Sequence, residues 1–206
     1  EKREIYIEFP SKKSINILFE ETSNYTVSLV LRMLYASPDI SLPWKKNPRS
    51  SLENKTALII GTGNIGSRVK HKLDHLMQVV SYDIIENKAE ELESLIKKAD
   101  VLSLHIPNMP ENDNFIDKQK LNWMKNGSIL INTARANLVN EDALYQSISQ
   151  GKIKAAFDVF WNEPYTGKLI QFYPDSFFMS PHIAGSSEDF FSGCRNDLED
   201  MTLHLL

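Results

Sequence analysis

Three of the chain's eight glycines fall in one short window, Gly61-Thr62-Gly63-Asn64-Ile65-Gly66. Each has a physical use. The first permits a sharp turn out of a strand. The second lets the backbone approach a pyrophosphate, and the third lets a helix pack closely on a sheet. Phosphate oxygens would meet free N–H groups at the start of that helix, around Asn64 and Ile65. A tight strand-to-helix turn without a ligand uses the same spacing, so the neighbours matter. Asp83 closes the next apolar run, where a carboxylate can accept hydrogen bonds from both hydroxyls of a ribose. A 2′-phosphate there would set negative charge against negative charge. Ile84, Ile85 and Glu86 bring no cation, and Lys88 is the nearest. The expected ligand is NAD rather than NADP.

Three further residues have types that suit hydride transfer to a 2-oxo acid. Arg135, Glu163 and His182 each follow an apolar run: 129–132, 155–159 and 177–179. If these runs are parallel strands, all three side chains lie beyond one sheet edge, where open α/β sheets bind ligands. Arginine grips a carboxylate through paired hydrogen bonds. Histidine gives a proton to the oxygen as hydride reaches the carbon, or takes it in reverse. A carboxylate beside the imidazole favours its charged form and fixes its orientation. Singly, each has a plainer reading: a surface arginine, a turn glutamate before Pro164, a structural histidine after Pro181.

The elements that must position these residues follow from periodicity. Residues 1–10 alternate as a short strand, and a helix is predicted from Asn24 to Tyr35, where Val27, Val30, Leu31 and Leu34 recur at helical spacing. Residues 38–54 hold three prolines and read as a connecting arm. From 57 onward strand and helix alternate: strands at 57–60, 79–82, 101–106, 129–132, 155–159 and 177–179. Helices fall at 65–77, 89–97, 118–124, 140–150 and 187–206. This pattern predicts an α/β fold, a doubly wound parallel sheet of Rossmann type covered on both faces.

Composition excludes other classes. The net charge of -4 gives no reason to expect nucleic acid. No run of eighteen apolar residues exists, so no membrane partner is expected. The single cysteine, Cys194, cannot form an internal disulfide, which favours a reducing, cytoplasmic location. No metal is expected. The first residue is Glu1 rather than Met, so the sequence is read as lacking something upstream.

Taken together, the stretches GTGNIG at 61–66, LHIPNMPE at 104–111, INTARANLVNEDAL at 131–144, AAFDVFWNEP at 155–164 and SPHIAGSS at 180–187 resemble the D-isomer-specific 2-hydroxyacid dehydrogenases. The resemblance implies that Arg135 holds the substrate carboxylate, that His182 is the acid/base and that Glu163 is its partner. It places Asp158 beside the nicotinamide carboxamide. It places His105, Ile106, Pro107, Thr133 and Ala134 along the cofactor, with Arg135 and His182 also bordering it. It implies a small 2-oxo or 2-hydroxy acid as substrate and a homodimer formed through the helix and arm. The implied division is 1–23, a remnant of a substrate domain; 24–54, an interdomain helix and dimerisation arm; 55–185, the NAD-binding domain; and 186–206, a C-terminal interdomain helix. Four positions depart from the family: Ala136 for a glycine, Asn140 for an aspartate, Met109 for a threonine and Asn24 for a glutamate. Most of the family's N-terminal substrate half is not in the sequence. A second reading is therefore an NAD-binding module without turnover, a sensor or corepressor-like protein. A third, an adenosylhomocysteinase-like enzyme, is disfavoured by the order Arg135, Glu163, His182.

Overall fold

The computed structural model describes residues 9–35 and 48–205. The strand expected over 1–10 lies outside the described residues, apart from a bend at Phe9 and Pro10, as does most of the arm, 36–47.

Six strands form one sheet: β1 (Thr56–Ile60), β2 (Gln78–Tyr82), β3 (Val101–Leu104), β4 (Ser128–Asn132), β5 (Ile153–Phe157) and β6 (Phe177–Met179). Their order is β2-β1-β3-β4-β5-β6 and every pairing is parallel. The helices are α1 (Lys12–Leu34), α2 (Asn64–Leu73), α3 (Glu91–Lys98), α4 (Lys118–Trp123), α5 (Glu141–Ser149) and α6 (Glu188–Leu205). The predicted doubly wound sheet is the observed one. Alternate strand residues enter opposite cores. Ala57, Ile59, Ile129 and Ile131 pack with Leu29 and Val30 of α1 and Val69 and Leu73 of α2. Leu58, Ile60 and Leu130 pack with residues of α3, α4 and α5 on the other face. Each such Val, Leu or Ile side chain stabilises the fold by ~1.5–3 kcal/mol when fully buried.

The predicted helix start at Asn24 needs correction. The helix begins at Lys12, capped by Ser11, whose side-chain oxygen accepts the Ser14 N–H at 3.2 Å. The division placed between 23 and 24 therefore falls inside one unbroken helix. The reason the earlier turns were missed is chemical. Their buried face includes Ser14, Thr22 and Ser23, with Thr26 below them. Hydroxyls satisfy themselves on the preceding turn, Thr22 to the Leu18 carbonyl at 2.8 Å and Thr26 to the Thr22 carbonyl at 2.7 Å. Such residues can be buried without leaving an apolar period.

Register sets up the functional edge. Tyr82, Ile60, Leu104, Asn132, Phe157 and Met179 lie in one row across the sheet. Asp83, Gly61, His105, Thr133, Asp158 and Ser180 each follow that row by one residue. The order in which strands are added to the sheet reverses at β1, because β2 lies on one side of β1 and β3 on the other. A crevice at such a switch point is where ligands bind in open parallel sheets.

Candidate functional site

The glycine window turns from β1 into α2 as expected. Gly61 has φ +91°, and a Cβ there would stand 2.7 Å from the His105 carbonyl oxygen. A Cβ on Gly66 would stand 1.9 Å from the Gly61 carbonyl oxygen. Both glycines serve the protein's own packing. Gly63 differs: a Cβ there would meet nothing within 4 Å. Its open face lies on the crevice. A backbone left bare toward a crevice at a helix N-terminus fits a pyrophosphate, so the residues present suit a dinucleotide.

Asp83 stands beside this turn. Its carboxylate accepts the Thr62 N–H and the Thr62 hydroxyl, both at 2.9 Å, and the Ile85 N–H at 3.1 Å. The backbone bonds from Thr62 and Ile85 outweigh burial and hold the carboxyl below its usual range. Three of about four acceptor positions are thus used. Two ribose hydroxyls can be taken only if the Thr62 hydroxyl turns away, a condition the spacing alone did not reveal.

The crevice encloses about 460 Å³. Its walls are residues 63–65, 105–108 and 133–135, with Phe19 of α1. The sequence-predicted Gly63, Asn64, Ile65, His105, Ile106, Pro107, Thr133, Ala134 and Arg135 are all there. Phe19 and Asn108 were missed. Phe19 belongs to the turns of α1 that periodicity did not detect, and Asn108 had only its place after Pro107 as a signal. Burial pushes the His105 imidazole down to about 3, so it is neutral, with Nε2 2.9 Å from the Ser103 hydroxyl. Thr133 is tied to α1 through its hydroxyl, 2.7 Å from that of Thr26.

The structure pairs two of the three catalytic candidates directly. His182 Nδ1 lies 2.9 Å from Glu163 Oε2 and 3.1 Å from Oε1. The Phe160 N–H also donates to Glu163 Oε1, at 3.0 Å. Burial alone would raise the Glu163 carboxyl. The hydrogen bonds from His182 and Phe160, with the charges of His182 and Arg135, hold it below its usual range instead. With Nδ1 engaged, Nε2 of His182 is the nitrogen left for a ligand. Arg135 is exposed after β4, and its Nη1 donates to the Ala134 carbonyl at 2.6 Å.

Asp158, which the resemblance sets beside the nicotinamide carboxamide, is held by the loop at 180–184. It is fully buried and presents no surface to the crevice. Its oxygens accept the Ser180 hydroxyl at 2.6 Å, the Ile183 N–H at 3.0 Å and the Ala184 N–H at 2.8 Å. Buried N–H groups in this turn require an acceptor, and the carboxylate supplies it. Of the four departures, Asn140 caps α5 by accepting the Ala143 N–H at 2.9 Å. Ala136 is buried in a short helical turn outside the left-handed region, so its Cβ adds no backbone strain. Met109 is exposed, and Asn24 donates to Glu21 on the surface of α1.

Residues 40–184 match the profile described as D-isomer specific 2-hydroxyacid dehydrogenase, NAD binding domain. D-3-phosphoglycerate dehydrogenase of Haemophilus influenzae is 38% identical over 164 residues, covering 71% of this chain and 39% of that protein. Hydroxypyruvate reductase of Thermotoga maritima is 34% identical over 160 residues, covering 71% of this chain and 52% of that protein. Among solved structures, D-lactate dehydrogenase of Aquifex aeolicus with NAD and lactic acid superposes with a TM-score of 0.78 at 27% identity, covering 91% of this chain and 66% of that one. The chain thus spans about two fifths to one half of these two curated relatives.

Proposed function

Because this chain belongs to the D-isomer specific 2-hydroxyacid dehydrogenase family, whose NAD-binding domain it carries, we propose that it serves hydride transfer between NAD(H) and a small D-2-hydroxy acid or 2-oxo acid. The observation that carries this reading is the His182–Glu163 pair, 2.9 Å apart, on the same sheet edge as the phosphate turn. NADH, when bound, supplies the hydride that reduces the oxo carbon. Arg135 meets the substrate carboxylate with its guanidinium, two parallel N–H groups to two oxygens. Nε2 of protonated His182 gives its proton to the oxo oxygen, and takes it back in the oxidation direction. Glu163 holds Nδ1, which aims Nε2. Neutral His105 adds no charge to the cofactor wall.

The test is NADH consumption by the chain over a panel of 2-oxo acids. His182→Ala should cut turnover by roughly 10²–10⁴-fold, the usual contribution of a positioned acid. Glu163→Gln should cut it less and leave NADH affinity unchanged. NADH binding with no turnover on any acid would replace this reading with an NAD-binding module. Failure to bind NADH would end both.

A homodimer through the helix and arm, residues 24–54, and a cytoplasmic location are part of the same proposal. Family resemblance supports the first and the single cysteine the second. Sedimentation of the chain tests the dimer; a monomer at micromolar concentration would remove it. Among the described residues no helix is long and apolar enough to cross a membrane.

A further inference from the structure

The phosphate turn carries no cation: residues 61–66 are Gly, Thr, Gly, Asn, Ile and Gly. A pyrophosphate brings two negative charges, and a helix N-terminus offers only about half an elementary charge against them. A guanidinium contacts two walls of the crevice. Arg68 stands one turn into α2, and its Nη1 donates to the Asn64 carbonyl. Its Cζ lies 5.6 Å from the centre of the Phe19 ring. Asn64 and Phe19 are both walls of the crevice.

Arg68 is held there from α1. Its Nη2 donates to Asn16 Oδ1 at 2.6 Å, and its Nε lies 3.3 Å from Glu20 Oε2. Glu20 also receives Lys72. The hydrogen bond from Lys72, helped by the charges of Lys72 and Arg68, outweighs burial and holds the Glu20 carboxyl below its usual range. Glu20 is therefore ionised, and two cations share one carboxylate. The cluster of Arg68, Lys72 and Glu20 keeps one net positive charge.

We infer that Arg68 provides the charge that attracts the cofactor's pyrophosphate, with Asn16 of α1 as its positioning residue and the Glu20 carboxylate as a competitor for its charge. This rests on the NAD reading and deepens it. It also gives the N-terminal turns of α1 a function beyond packing: they hold the cation that the glycine turn lacks.

The test is fluorescence titration with NADH at low and high ionic strength. Arg68→Gln should weaken NADH roughly threefold to tenfold at low salt, and the gap should close at high salt, as expected for one partly exposed charge. Arg68→Lys should keep most of the affinity. Glu20→Gln is the decisive partner. It breaks the same α1–α2 ion pair, so a purely structural link would make it resemble Arg68→Gln. The inference requires the opposite sign, tighter NADH, because a competing carboxylate is removed. Arg68→Gln indistinguishable from the parent, or both variants weakening alike at every salt concentration, would overturn it while leaving the NAD reading intact. A parent chain that binds no NADH would overturn both.

Discussion

The Asp158 carboxylate accepts the backbone N–H of Ile183 at 3.0 Å, one residue beyond His182. It also holds Ala184 and, on the other side, Ser180. His182 is thus suspended between anchored neighbours, in the left-handed region at φ +56°. That conformation costs about 1–3 kcal/mol and persists only where the surroundings enforce it. Two carboxylates divide the work: buried Asp158 sets the backbone, and exposed Glu163 aims the ring.

Asp158→Asn should therefore destabilise the fold by roughly 3 kcal/mol, because an amide nitrogen cannot accept the Ala184 N–H that the second oxygen now serves. Urea denaturation measures this. The His182 ring signals should also shift in NMR spectra of the folded variant. An unchanged midpoint with unchanged His182 signals would show that the loop holds itself.

The glycine turn separates stability from binding. Gly66→Ala should be strongly destabilising, since its Cβ would meet the Gly61 carbonyl at 1.9 Å. Gly63→Val should fold as the parent does, because nothing lies within 4 Å of the new Cβ. It should nevertheless lose NADH affinity by about tenfold or more, equivalent to ~1.4 kcal/mol. Parent-like NADH affinity in Gly63→Val would remove the pyrophosphate from this turn.

Cofactor preference should follow Asp83. Its lowered carboxyl is charged at neutral pH, so NADPH should bind at least about tenfold more weakly than NADH. Asp83→Ser should narrow that ratio. Equal binding of the two cofactors by the parent chain would contradict the argument from charge.

His105 gives a pH signature. Its folded value of about 3 lies below the ordinary 6.5. Between these values the unfolded chain binds a proton that the folded chain refuses. Stability should therefore fall as pH drops from 6.5 toward 3, by up to about 1.4 kcal/mol per pH unit. His105→Gln should flatten that slope between pH 6.5 and 5, read as the change in urea midpoint. A His105 ring signal titrating near 6.5 in the folded chain would refute it.

The sequence by itself determined the parallel sheet, its six strands and the phosphate turn. It did so because an apolar alternation between two buried faces and three spaced glycines are local signals. It also placed Arg135, Glu163 and His182 beyond strand ends, since where a strand stops is written in its own residues. Only the tertiary structure decided what happens between segments. The early turns of α1 are buried through hydroxyls, which leave no apolar period. Phe19 reaches the crevice, and Asn16 and Glu20 reach Arg68, only because α1 packs along α2. Asp158 binds the loop at 180–184, since that loop's N–H groups arrive beside it in space. Periodicity reports which residues leave water. The partners of Asp158 and of the Thr133 hydroxyl lie more than twenty residues away in the chain, and those contacts exist only once the sheet has formed.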